Sequence, residues 1–194
     1  MRIVAGQWRG KSLSAPPGTT TRPTADRVRQ ALFDMLLHAP WAGRECVDDA
    51  VVLDVFAGTG AIGLESLSRG AARVTFIELD RAALAALRSN IAACRAEAQC
   101  QILAMDVARI STGEPASLIF LDPPYGQGLV VSALNRLHAV GRIAPGALIV
   151  AETGRDEPAL PVEPLAERTH GAARITVWRA GIANRLGGLG AELG

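Results

Sequence analysis

At 194 residues, 49% of them apolar, the chain is long enough for one domain with a small appendage and a real core, and no run of 18 apolar residues is present to make a transmembrane helix. The net charge of +1 argues weakly against a nucleic-acid partner, but its distribution points the other way: residues 1–44 carry seven basic and two acidic side chains (net +5), the remainder thirteen and seventeen (net −4). Cys46, Cys94 and Cys100 make neither a metal-ligand spacing nor an even set, and the opening MRIVAGQWRG has no apolar leader, so a cytoplasmic protein with reduced thiols and no metal site is expected.

In chain order, RIVAG (2–6) and KSLSAP (11–16) bracket Gln7-Trp8-Arg9-Gly10 as a hairpin. A loop with Pro16, Pro17 and Gly18 follows, and Thr24 reads as a helix N-cap. Val28, Leu32 and Met35 recur at i, i+4 and i+7, which predicts an amphipathic helix over 25–37. From about Ala50 to Glu152, apolar runs (51–58, 72–79, 100–106, 117–122, 147–152) alternate with helical patterns (61–69, 81–95, 128–141). Runs without strict alternation are strands buried on both faces, and alternating strand and helix predicts a doubly wound α/β sheet. Residues 161–169 and 173–180 look like a closing antiparallel pair. The tail 181–194, with five Gly, has no burial pattern and is expected to fray. The organisation expected is a basic hairpin and helix (1–44), a core (45–180) and the tail. His38, His138 and His170 lie far apart and read as ordinary polar residues.

The first strand runs into Asp54-Val55-Phe56-Ala57-Gly58-Thr59-Gly60-Ala61-Ile62-Gly63, which fits G-x-G-x-x-G, with Glu78 twenty residues after Gly58 at a strand end. A dinucleotide would bring a pyrophosphate to the following helix N-terminus, where the Asp54 carboxylate would repel it. S-adenosylmethionine has no phosphate; it carries an ammonium and a sulfonium, which a carboxylate near this loop suits. Asp106 ends the third run on the same rim, placed either to accept from an adenine amino group or to cap residues 107–111. Asp80 reads as the N-cap of helix 81–95.

The fourth run ends in Asp122-Pro123-Pro124-Tyr125. Two prolines remove backbone donors and stiffen the turn, leaving carbonyls free to accept. Asp122 adds a carboxylate acceptor and Tyr125 an aromatic face for stacking. Acceptors on both N–H bonds of an exocyclic amine localise its lone pair for in-line attack on a sulfonium methyl, so positioning and polarisation suffice. The proton leaves to Asp122 or to water.

At these residues the chain resembles the RsmD-type bacterial guanine-N2 methyltransferases of small-subunit ribosomal RNA. RIVAGQWRGKSL, RPTADRVRQALFDML, VLDVFAGTGAIGLESLSRGA, FIELD and DPPY stand in that family's order and spacing over nearly the whole chain. The segment from Arg22 to Arg29 and the opening are more specific than the glycine loop or DPPY, which many amino-methyltransferases share. The resemblance implies a Rossmann-like class I S-adenosylmethionine-dependent methyltransferase fold, with a seven-stranded, mostly parallel sheet, helices on both faces and an N-terminal β-hairpin extension. It implies S-adenosylmethionine held by Asp54, Phe56, Gly58, Gly60, Glu78, Leu79, Asp106 and Val107. The base would be held by Asp122, Pro123, Pro124 and Tyr125, the last a Phe in many members. The substrate implied is 16S rRNA of the small ribosomal subunit, methylated on the guanine at position 966 of the family's usual numbering by a monomer, with neither DNA nor membrane as partner. Arg2, Arg9, Lys11, Arg22, Arg27 and Arg29 would then contact phosphates, and Trp8 would stack on a base or pack beneath the hairpin. Arg22 to Arg29 also stand where they can close over the cofactor's carboxylate.

Other functions fit less well. A DNA adenine-N6 methyltransferase commonly needs a recognition insertion that 194 residues hardly accommodate. Protein-glutamine methyltransferases typically begin the tetrapeptide with Asn. A non-catalytic rRNA-binding assembly factor would not need intact Asp54 and Asp122, and an NAD oxidoreductase lacks a hydride-transfer partner.

Overall fold

The computed structural model describes residues 1–16 and 23–181. Among them β1 (Val51–Val55), β2 (Arg73–Glu78), β3 (Cys100–Ala104), β4 (Ala116–Leu121), β5 (Ile143–Gly154), β6 (Ala166–His170) and β7 (Ala173–Arg179) form one seven-stranded sheet, ordered β3-β2-β1-β4-β5-β7-β6. β1 to β5 are parallel, and β7 runs antiparallel between β5 and β6. The strand order reverses between β1 and β4, where open α/β sheets leave a crevice beyond their C-terminal strand ends.

The helices are α1 (Pro23–His38), α2 (Ala61–Ser68), α3 (Arg81–Cys94) and α4 (Leu129–Ala139). Successive strand residues point to opposite faces. Val52, Val74, Phe76, Leu118, Phe120, Leu148 and Val150 pack under α1, α2 and α3. Leu53, Val55, Ile77, Ile119, Leu121, Ile149 and Ala151 pack under α4 and the 3-10 turn Val107–Arg109. Double-sided burial explains why β1 and β4 read as unbroken apolar runs. β3 departs from that expectation: it is the edge strand, and none of its residues is fully buried. β5 starts at Ile143, four residues before the predicted run. Pro145-Gly146 reads as a break, but a register shift opposite Ala116–Leu118 absorbs it.

The predicted hairpin forms with sparse pairing. Arg2 and Ser12 make a single bridge, supported by Ile3 N–H to Lys11 O (2.9 Å) and Leu13 N–H to Met1 O (3.0 Å). Ile3 and Leu13 enter the same core as α1's Leu32, Phe33 and Leu36 and the sheet residues above, so the hairpin and α1 share one core with the sheet. Gly6 lies against the end of α2 with φ of 81°, and a Cβ there would come 1.7 Å from Ser68 O. α1 begins at Pro23, so Thr24 lies within its first turn and not before it. Pro17, Gly18, Arg22 and residues 182–194 of the tail fall outside the described residues.

Candidate active site

The rim at the C-terminal ends of β1, β2 and β4 carries the predicted residues. Asp54, on β1's α2-facing side, is buried, and its Oδ2 accepts the Gly63 N–H at 3.0 Å. No side chain of the capping residue Gly60 serves the start of α2, so Asp54 takes a first-turn donor in its place. Burial pushes the Asp54 carboxyl up to about 8, with the charges of Asp122 and Glu78 adding and the Gly63 bond opposing. Gly60 needs to be glycine twice over: φ is 76°, and a Cβ would sit 2.3 Å from Leu87 Cδ1. Phe56 is held at φ of 64°, an uncommon conformation for a bulky residue.

Glu78 Oε2 accepts Gly58 N–H at 2.7 Å, and its Oε1 accepts the N–H groups of Leu79 and Asp80, each at 2.7 Å. The carboxylate is thereby fixed by backbone, with acceptor capacity left for a hydroxyl. Asp80 caps α3 through Ala83 N–H (2.8 Å), as its position predicted. Asp106 caps the 3-10 turn through Ala108 N–H (2.8 Å) while also lining the main cavity. That cavity, about 1080 Å³, is walled by Phe56, Glu78, Leu79, Asp106 and Val107 on one side and by Asp122, Pro123, Pro124 and Tyr125 on the other. A second cavity of about 450 Å³ under α1 contains Asp54, Gly58, Arg29 and Glu152 and shares Phe56 and Asp122 with the first. Gly60 lines neither and acts through the shape of the turn.

This donor set fits a cation better than a phosphate. A buried carboxylate already occupies the helix N-terminus that would receive an anion, and among the described residues no basic side chain is ion-paired with it. An ammonium or sulfonium would supply the counterion.

Asp122 is open to the cavity but walled in on most sides. That desolvation, with the neighbouring charge of Glu152, raises its carboxyl to about 7. Tyr125 is 44% exposed, and its hydroxyl donates to Glu152, which together with burial raises its pKa. Glu157 pins the loop after the tetrapeptide, its Oε1 accepting Gly126 N–H (2.8 Å) and Gly154 N–H (2.9 Å).

Among the predicted RNA contacts, Arg2, Arg9, Lys11 and Arg27 are exposed and Arg22 is outside the described residues. Arg2 lies 4.0 Å from Asp26, and Lys11 donates to Ala93 O. Trp8 is half-buried and packs against the core. Arg29 is a correction. It is buried and ion-paired with Asp26 (2.8 Å) and Glu65 (3.4 Å), so it anchors α1 and does not reach for phosphate.

Sequence reasoning missed three residues. Glu65, fully buried on α2, accepts Val4 N–H (2.7 Å), Ala5 N–H (3.0 Å), Arg69 Nε (2.8 Å) and Arg29 Nε (3.4 Å), which ties the hairpin to the helix after the glycine turn. Asn90 on α3 donates to Thr59 O (2.9 Å) and Ser14 O (3.0 Å) and accepts Ser14 N–H (2.7 Å). Glu152 ends the fifth apolar run as Asp122 ends the fourth, and that shared position was its signal.

Comparison with known proteins agrees with this geometry. The chain matches the family described as conserved hypothetical protein 95 over residues 1–179. It is 41% identical over 165 residues to ribosomal RNA small subunit methyltransferase D of Escherichia coli K12, covering 84% of this chain and 79% of that one. The namesake of Haemophilus influenzae is 35% identical over 188 residues, 92% and 93% of the two chains. Escherichia coli yhhF, solved as a methyltransferase candidate, superposes with a TM-score of 0.80 at 36% identity over 93% of this chain and 98% of its own. The chain therefore belongs to the conserved hypothetical protein 95 family, the same family as the small subunit methyltransferases D.

Proposed function

We propose that the protein transfers a methyl group from S-adenosylmethionine to the exocyclic N2 amine of a guanine in 16S rRNA of the small ribosomal subunit, the guanine at position 966 of the family's numbering. One observation carries the reading: the acidic glycine turn and the double-proline turn open onto shared space, with Phe56 and Asp122 in both cavities. The methyl donor supplies an electrophilic carbon on a positive sulfur. Asp54 and the Gly58 turn suit the cationic methionine end, and Glu78, already oriented by three N–H groups, suits the ribose hydroxyls. Asp106 and Val107 would border the adenine.

Asp122 and the donor-free proline turn accept from the target amine and concentrate its lone pair. A carboxyl near pH 7 is matched to taking the proton once the nitrogen has attacked. Tyr125 offers its ring to a base drawn out of its stack, which a loop permits more readily than a duplex. All these groups come from one chain, so a monomer suffices. Exposed Arg2, Arg9, Lys11 and Arg27 form the basic approach to the RNA backbone. Among the described residues no helix is long and apolar enough to cross a membrane.

The test is incubation with radiolabelled S-adenosylmethionine and, separately, unmethylated small subunits, free rRNA, duplex DNA and a protein extract. Label in the subunits or rRNA, recovered as N2-methylguanine, is expected. Label confined to DNA or protein would overturn the reading, and RNA binding without any label would favour a non-catalytic assembly factor.

A further inference from the structure

Glu152 enters the chemistry above only as the acceptor of the Tyr125 hydroxyl, yet its placement is as constrained as that of Asp122. Leu121 of β4 and Ala151 of β5 are the last register partners, and Asp122 and Glu152 are the residues that follow them in each chain segment. Leu118 and Phe120, like Leu148 and Val150, face α1 to α3, and the two-residue period puts Asp122 and Glu152 on that same face. Neighbouring strands lie about 4.8 Å apart, so the two carboxylates start one strand spacing from each other. Both line the 450 Å³ cavity with Asp54. The Tyr125 hydroxyl holds Glu152 Oε1, which fixes the side chain and leaves Oε2 available.

An ionised carboxylate only accepts hydrogen bonds. Guanine offers two adjacent donors on its Watson–Crick edge, the N2 amine and N1–H. Adenine offers an amine beside an N1 lone pair. We propose that Glu152 determines the base specificity of the site: the oxygen not held by Tyr125 accepts the N1–H of the target guanine while Asp122 accepts from its N2 amine. An adenine would set its N1 lone pair against the carboxylate, a repulsive and unsatisfied contact that rejects the wrong base. The inference rests on the guanine-N2 reading and adds the residue that enforces it.

The experiment compares two purines that carry the same N2 amine. Small subunits are reconstituted with guanine or with 2-aminopurine at the target position; the latter has a lone pair at N1 in place of N1–H. Methyl transfer is measured for the wild type, Glu152→Gln and Tyr125→Phe. A site built to bond a substrate N–H rejects its analogue strongly, so the wild type should favour guanine by about a hundredfold or more. Glu152→Gln keeps an oxygen for the Tyr125 hydroxyl and gains an amide donor for N1 of 2-aminopurine. Its preference should collapse to within about tenfold. Tyr125→Phe should slow both purines and leave the ratio in place. S-adenosylmethionine affinity measured by calorimetry should stay within about threefold of the wild type in Glu152→Gln, which reports an intact fold.

An unchanged guanine preference in Glu152→Gln, or equal losses on both purines, would overturn the assignment while leaving the guanine-N2 activity standing. A wild type that does not discriminate would also overturn it. No transfer by the wild type to guanine-bearing subunits would overturn both.

Discussion

The raised carboxyl of Asp54 makes cofactor affinity depend on pH in a calculable way. With its pKa at about 8 in the free protein, Asp54 is mostly protonated at pH 7. Binding an ammonium or sulfonium requires the ionised form, which by the pKa difference is present in roughly one molecule in eleven at pH 7 and about one in a hundred at pH 6. Affinity should therefore rise about ninefold from pH 6 to 7 and about fivefold from 7 to 8, about 1.3 and 1.0 kcal/mol, and gain at most about twofold above 8. The ligand's own amino group titrates in the same range, so Asp54→Asn measured in parallel removes that contribution. The ratio of wild-type to variant affinity should be small at pH 6 and reach its maximum by pH 9. Calorimetry in two buffers of different ionisation enthalpy gives the complementary count: about 0.9 proton released on binding at pH 7 by the wild type, and none attributable to this site in the variant. An affinity ratio flat from pH 6 to 9, with no proton released, would refute both the buried-acid assignment and the placement of the cation beside it.

Without ligand, the same group should destabilise the protein as pH rises. The folded state holds the Asp54 proton up to about pH 8, while the unfolded state loses it near 3.8, so stability falls across that interval. Asp54→Asn should melt higher than the wild type at pH 8, with the gap closing toward pH 4 in thermal scans. Asp122→Ala should abolish methyl transfer to small subunits while leaving S-adenosylmethionine affinity within about threefold, since its role is in the reacting amine and not in uniform binding; equal loss of both by calorimetry and turnover would contradict that role. Arg9→Ala with Lys11→Ala should weaken RNA binding and flatten the dependence of log affinity on log salt by about 1.4 to 1.8, as expected for two phosphate contacts; an unchanged slope would remove the hairpin from the interface. Glu65→Ala should cost about 3–5 kcal/mol in denaturant unfolding, because it takes the carboxylate partner from buried Arg69, leaves Arg29 with Asp26 alone as its carboxylate, and leaves two hairpin N–H groups unmet.

What was legible in the sequence was whatever leaves a local pattern. β1 and β4 are buried on both faces, so they read as apolar runs, with Asp54 a lone acid inside the first and Asp122 ending the other, and the glycine spacing marked the turn into α2. Asp80 was recognisable as a cap because capping is local. The failures are long-range. Glu65 looks like an ordinary helix acid, because its partners Val4 and Ala5 lie some sixty positions away. Arg29 belongs by sequence to the basic arm, but the helix turns it inward onto Glu65 and Asp26. Glu152 ends an apolar run as Asp122 does, yet only the β4–β5 register, with Leu121 opposite Ala151, and the cavity both line bring it beside Asp122. Sequence periodicity reports which face a side chain takes. It does not report which other strand's side chain shares that face.

The distribution of charge inside the fold follows from this. On one face of the sheet, Asp54, Asp122 and Glu152 gather carboxyl groups on adjacent strands, and burial first, with neighbouring charges adding, raises the carboxyls of Asp54 and Asp122 in the free protein. On α2, Glu65 is equally buried but answered by two arginines and two backbone donors. The fold could have answered the rim acids in the same way. Arg29 lines their cavity but is tied to Glu65 and Asp26 instead. Leaving the rim unanswered costs stability, and it keeps acceptor capacity for ligands that bring their own positive charge or their own N–H groups. A cationic methyl donor at Asp54 and a donor-rich base edge at Asp122 and Glu152 would complete what the chain leaves open, each lowering the charge burden on the other.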